Sequence, residues 1–148
     1  MKIIFLDFDG VINPSMKFSS TGDFSKICCQ NLQSILKAVP DATVVISSSW
    51  RTYGLAACKD ILKGCGIDPK RVVDVTEGSK KEGEFGREHH IEKWLRLHPE
   101  VDTFVILDDE AEVPDLKSNY VNTNSVIGLT SADADKAIEI LSKTSKLH

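Results

Sequence analysis

Two periods of hydrophobicity alternate along this chain. The runs Lys2–Leu6, Thr43–Ser47, Arg71–Val75 and Thr103–Leu107 are short and rich in β-branched or aromatic residues. They read as strands buried on both faces, and the brief run Tyr120–Asn122 adds a fifth. Between them the apolar residues recur at helical spacing. Ile27, Cys28, Leu32, Ile35, Leu36 and Val39 predict a helix over Ser25–Val39, capped by Asp23 or Ser25 and stopped by Pro40. A second helix over Leu55–Lys63 ends at the Gly64-Cys65-Gly66 punctuation. A third, Arg87–His98, carries Ile91, Trp94 and Leu95 on one face and closes at Pro99, and a last one spans Ala132–Ser142. Polar, glycine-containing loops occupy Gly10–Asp23 and Glu77–Gly86. Strands that alternate with helices require a parallel sheet with crossover connections. The expectation is one α/β domain over residues 1–148: a three-layer Rossmann-like fold with a five-stranded, mainly parallel sheet.

Composition changes this picture little. A chain of 148 residues can bury roughly two thirds of its unfolded surface. It is 41% apolar and 27% charged, ordinary values for a globular domain. No apolar stretch approaches the ~18 residues of a membrane span, so no membrane partner is expected. Strand-like sequence with Asp7 and Asp9 begins almost at once, unlike a signal peptide, which makes the cytoplasm the expected location. The net charge of −4 argues against a strongly basic, non-specific nucleic-acid binder. It leaves room for a local basic patch at Arg51, Lys80, Lys81 and Arg87. Cys28, Cys29, Cys58 and Cys65 lack metal-ligand spacing, and Cys28 and Cys58 fall at apolar helical positions, where buried reduced thiols are expected. His89 and His90 read as exposed helix residues, and Trp50 and Trp94 as packing anchors.

Candidate chemistry sits at the strand ends. Asp7 and Asp9 follow the first strand, and Asp108 and Asp109 follow the fourth. The carboxyl ends of parallel strands are where open α/β sheets bind ligands. Carboxylates gathered there repel one another and call for a hard cation, Mg²⁺ being the natural one. Asp7 and Asp9 would share a side if the strand ran on, whereas a turn at Gly10 would bring them together from different directions. Either arrangement suits a carboxylate nucleophile beside a carboxyl general acid. A nucleotide-cofactor dehydrogenase is disfavoured because no G-x-G-x-x-G follows the first strand, and a P-loop kinase fails for want of G-x-x-x-x-G-K-[ST].

Asp7-Phe8-Asp9-Gly10-Val11 resembles the first motif of the haloacid dehalogenase (HAD) superfamily. Ile46-Ser47-Ser48-Ser49 resembles its second motif, Leu107-Asp108-Asp109 its fourth, and Arg87 its third, with Lys80 or Lys81 as alternatives. More narrowly, Phe5 through Pro14, Ser48-Ser49-Trp50-Arg51 and Arg87 through Trp94 resemble the phosphatase domains of Swiss Army Knife RNA repair proteins. The resemblance implies Asp7 as nucleophile and metal ligand. Asp9 would be the general acid/base, its backbone carbonyl also reaching the metal. It further implies Ser47 or Ser48 and Arg87 as phosphate ligands, and Asp108 with Asp109 as Mg²⁺ ligands.

Members of that superfamily commonly insert a cap domain after the first or third strand, and neither stretch here has room for one. The implied activity is Mg²⁺-dependent hydrolysis of a phosphate monoester through an aspartyl-phosphate. The open site favours a large phosphorylated substrate such as a nucleic-acid 3′-phosphate end, with the loop Asn13–Gly22 as the expected gate and Met16 and Phe18 as its substrate contacts. Two alternatives stand beside it: a small-metabolite or nucleotide phosphatase closed by oligomerisation, and a non-catalytic phosphate-binding module.

Overall fold

The computed structural model describes residues 1–16, 24–77, 86–110 and 113–143. The element order is β1 (Lys2–Leu6), α1 (Lys26–Ala38), β2 (Ala42–Ile46), α2 (Leu55–Gly64), β3 (Val72–Val75), α3 (Gly86–Leu97), β4 (Thr103–Asp108), β5 (Tyr120–Asn122) and α4 (Ser131–Ser142). The five strands form one sheet in the order β3-β2-β1-β4-β5, with every pairing parallel. Strand β1 lies at its centre, flanked in register by β2 (Leu6 opposite Ile46) and by β4 (Leu6 opposite Leu107).

Burial explains the unbroken apolar runs. Ile4 and Leu6 pack with the apolar sides of α1, α2 and α4. Ile3 and Phe5 point the other way, onto Ile91 and Trp94 of α3. Phe5 meets Trp94 edge-on at 5.6 Å between ring centroids. A strand covered on both faces has no solvent side, so alternation disappears from its sequence. Each fully buried Ile, Leu or Phe contributes about 1.5–3 kcal/mol.

The helices begin and end where local chemistry dictates. Ser25 is the N-cap of α1, its hydroxyl accepting from the Cys28 amide at 3.3 Å. The helix stops at Val39 because the following Pro40 disfavours helical backbone before it. Thr130 and Asp133 form a reciprocal capping box on α4.

Four side chains depart from the sequence reading or add to it. Ile27 is 64% exposed, because the buried stripe of α1 follows Cys28, Leu32, Ile35 and Leu36 and leaves its neighbour about 100° away. Cys29 is buried instead and forms a disulfide with Cys65, just beyond α2. His90 is buried beside Ile91 on the inner side of α3 and His89 is half-buried, so neither is exposed as expected. Cys28 and Cys58 are free and buried as expected, and burial pushes the Cys58 thiol up, which keeps it protonated and inert. Among the described residues no helix is long and apolar enough to cross a membrane.

Candidate active site

The strand register delivers the first two carboxylates. Leu6 pairs with Leu107, so the next residues along, Asp7 and Asp108, emerge side by side at the carboxyl ends of β1 and β4. The Asp7 amide donates to the Leu107 carbonyl at 3.0 Å, extending the ladder one step past the strand. Asp7 and Asp108 are buried and Asp109 is half-buried. One carboxylate oxygen from each of these three lies within 4.8 Å of the others. The Asp7 and Asp108 carboxylates also cap backbone, accepting from the Phe8 amide at 2.9 Å and the Glu110 amide at 3.0 Å.

Electrostatics agree with the geometry. Burial raises the Asp109 carboxyl above the usual carboxylate range, and the neighbouring charge of Asp108 raises it further. Such a concentration of hard oxygen donors fits a divalent cation, whose charge would relieve the repulsion. Asp7, Asp108 and Asp109 are therefore the residues suited to hold Mg²⁺.

The turn after β1 explains the D-x-D-G spacing. The strand does not continue to Asp9. The Phe8 carbonyl instead accepts from the amides of Val11, Ile12 and Asn13 at 3.2, 3.0 and 2.9 Å. Gly10 adopts φ +79°, and a Cβ there would meet Asp109 Oδ2 at 2.1 Å. Glycine is needed both for its backbone and for the space it leaves to a carboxylate. The Thr123 hydroxyl, at the end of β5, donates to the Gly10 carbonyl at 2.7 Å and ties the turn to the sheet.

This turn sends Asp9 away from the other three carboxylates. Its side chain is exposed, and each oxygen has a donor: Asn13 Nδ2 at 2.7 Å on Oδ1 and Trp50 Nε1 at 3.0 Å on Oδ2. Asp9, Gly10, Asn13 and Asp109 line a cavity of about 350 Å³. A larger hollow of about 770 Å³ between α1 and α2 is lined in part by Trp50, and among the described residues none of the four carboxylates Asp7, Asp9, Asp108 and Asp109 lines it. The smaller cavity is the one that Asp9 and Asp109 both line.

The serines separate cleanly. Ser47 and Ser48 are both buried just past β2, and the Ser47 amide donates to the Leu6 carbonyl, next to Asp7. The Ser48 hydroxyl accepts from the Trp50 amide at 3.2 Å and caps the 3₁₀ turn Ser49–Tyr53. The Ser47 hydroxyl has no hydrogen-bond partner among the described residues. A buried polar atom left so is one a ligand can satisfy.

Arg87 lies in the first turn of α3, but its side chain falls outside the described residues, as do Lys80, Lys81 and Phe18. Met16 is 55% exposed, its amide bonded to the Val126 carbonyl.

Residues 3–134 match the family model of the HAD domain in Swiss Army Knife RNA repair proteins. The chain belongs to that family. The all-parallel sheet flanked by helices is consistent with a HAD Rossmann-like fold. Membership points to phosphatase-type hydrolase chemistry, and HAD domains generally use Mg²⁺. Neither a curated protein nor a solved structure matched the chain. The connections after β1 and β3, residues 7–25 and 76–85, are shorter than an independently folded cap would be.

Asn13, Trp50 and Thr123 are site residues that the motifs did not mark. Asn13 and Trp50 fall within the quoted likeness but carried no assigned role. Trp50 read as packing, which it also does, and nothing local tells that its indole N–H reaches Asp9.

Proposed function

We propose that this domain is a Mg²⁺-dependent phosphate-monoester hydrolase that works through an aspartyl-phosphate on Asp7. The observation that carries the reading is the meeting of Asp7, Asp108 and Asp109 at the ends of adjacent central strands. The Asp7 carboxylate attacks phosphorus, a new P–O bond forms, and the bond to the leaving oxygen breaks. Asp9 gives its proton to that oxygen. Its carboxylate then takes a proton from water, whose oxygen attacks the same phosphorus and releases phosphate and free Asp7. Ser47, whose buried hydroxyl has no hydrogen-bond partner among the described residues, donates to a phosphoryl oxygen. Arg87 supplies positive charge from the start of α3. Asp7, Asp108 and Asp109, with the Asp9 backbone carbonyl, would hold Mg²⁺, which would supply charge to offset that on the phosphoryl oxygens. Positioning and charge stabilisation of this kind are what phosphoryl transfer requires.

Without room for a cap, the site suits a large substrate, and the family's association with RNA repair favours a nucleic-acid 3′-phosphate end. Asp7→Asn is expected to abolish hydrolysis of a generic aryl phosphate while the protein keeps its fold, and EDTA is expected to do the same to the wild type. Robust turnover by Asp7→Asn would reject the mechanism. For the substrate, 3′-phosphorylated oligonucleotides should be hydrolysed with higher kcat/KM than 3′-mononucleotides. Indifference to chain length would instead favour a small-metabolite phosphatase, and stoichiometric binding without turnover a phosphate-binding module.

A further inference from the structure

We propose that Trp50 and Asn13 are positioning residues that hold the Asp9 carboxyl in place for proton transfer to the leaving oxygen, an inference that rests on the phosphatase reading. Asp9 poses a specific problem. It is exposed and follows the end of β1 on a turning backbone, where an aspartate side chain is ordinarily free to change rotamer. Yet both of its oxygens are held, Oδ1 by Asn13 Nδ2 and Oδ2 by Trp50 Nε1.

The two donors are themselves fixed. The Asn13 backbone bonds both Phe8 and Gly10, so its amide group is carried on the same turn as Asp9. Trp50 is anchored by both its ring and its backbone. Its ring lies 5.8 Å from Phe8, 5.6 Å from Phe24 and 5.9 Å from Tyr53, centroid to centroid. Its amide donates to the Ser48 hydroxyl, and its carbonyl accepts from Cys58 Sγ at 3.4 Å. The serine motif thus reaches the acid motif through one tryptophan.

Donor chemistry explains the choice of residues. An indole N–H donates and cannot accept, so Trp50 orients Oδ2 without competing for the proton. The asparagine amide can turn to offer its N–H to the carboxylate or its oxygen to the carboxylic acid, which serves both stages of the cycle. Each carboxylate oxygen keeps a further lone pair for the transferred proton. Misplacing a reacting group by about 1 Å can cost on the order of 100-fold in rate, which sets the upper scale of what such a clamp can protect.

The role has a signature that mere structural support lacks. A leaving group that departs readily as an anion needs little help from an acid, whereas an alkoxide does. Trp50→Phe keeps the ring stack and removes the N–H. It should lower kcat/KM on an alkyl phosphate at least about ten-fold more than on p-nitrophenyl phosphate, mainly through kcat, as expected for acid catalysis. Asp9→Asn should show the same split, and adding Trp50→Phe to Asp9→Asn should cost little more, because both act on one proton. Asn13→Ala should follow Trp50→Phe in direction. Equal losses on both substrates, or additive losses in the double variant, would overturn the proposal.

A second readout needs no turnover. The chain has two tryptophans, and Trp94 donates its indole N–H to Asp74, remote from the turn. In a ¹H–¹⁵N spectrum the Trp50 indole signal, assigned by its loss in Trp50→Phe, should move on Asp9→Ala while that of Trp94 stays. An unmoved Trp50 signal would overturn the clamp even if the enzyme is a phosphatase. Turnover by Asp7→Asn would instead strike the underlying mechanism and leave the clamp's spectroscopic test standing.

Discussion

Gly10 and Asp109 constrain each other through the space between them. A methyl group on Gly10 would fall on the Asp109 carboxylate, and the positive φ of Gly10 disfavours any other residue. Gly10→Ala is expected to cost about 1–2 kcal/mol from the backbone alone, and to displace Asp109. Denaturant titration would report the first effect, and loss of Mg²⁺-induced thermal stabilisation the second. Asp109 also sets a pH dependence. Its folded-state pKa is raised by burial and by Asp108, so the metal-free folded state holds that proton more tightly than the unfolded chain does. Its contribution is present in full below the ordinary carboxylate range and is lost as pH rises through the raised value. Metal-free Asp109→Asn should therefore lose less stability than the wild type as pH rises across that window, and should respond less to Mg²⁺. Melting curves at several pH values with EDTA present would check both.

At the scale of elements, hydrogen bonds and one disulfide join parts that are distant in the chain. The Thr123 hydroxyl is buried and holds the Gly10 carbonyl from the end of β5. Thr123→Val keeps the shape and leaves that carbonyl without its donor, at an expected cost of about 1–3 kcal/mol by denaturant titration. Cys29 and Cys65 close a loop with a sequence separation of 36 residues between α1 and the end of α2. By the chain-entropy relation, a loop of that length is worth about 4 kcal/mol, and measured values typically fall in the range of about 2–4. Reduction, or Cys29→Ser with Cys65→Ser, should lower the melting temperature accordingly. A thiol titration of the denatured, unreduced protein should find Cys28 and Cys58 alone reactive. Such a bond persists in oxidising surroundings and is disfavoured in a reducing cytosol, so the same titration on freshly isolated protein bears on the compartment.

For the molecule as a whole, the acidic centre links metal binding to stability. Mg²⁺ that binds only the folded state should raise the melting temperature with concentration, by about 2.7 kcal/mol of stability at a hundred times Kd. Asp108→Asn should blunt this rise if the carboxylates hold the ion as proposed. The strand runs, the helix stops at Pro40 and Pro99, and the acidic pairs at the ends of β1 and β4 were all legible along the chain. Each depends on neighbours a few residues away, and burial on both faces leaves its mark directly in composition. Register across the sheet is a different matter, because it sets which residues at the strand ends become neighbours. The structure paired Leu6 with Leu107 and so brought Asp7 beside Asp108, turned Asp9 outward at Gly10, left the Ser47 hydroxyl without a partner among the described residues while Ser48 capped a turn, and reached Asp9 with the indole of Trp50. Local pattern alone determined which elements form and which chemical groups stand at their ends. Tertiary structure decided which of those groups meet, because hydrogen-bond and ring partners far apart in sequence are set by packing and not by period.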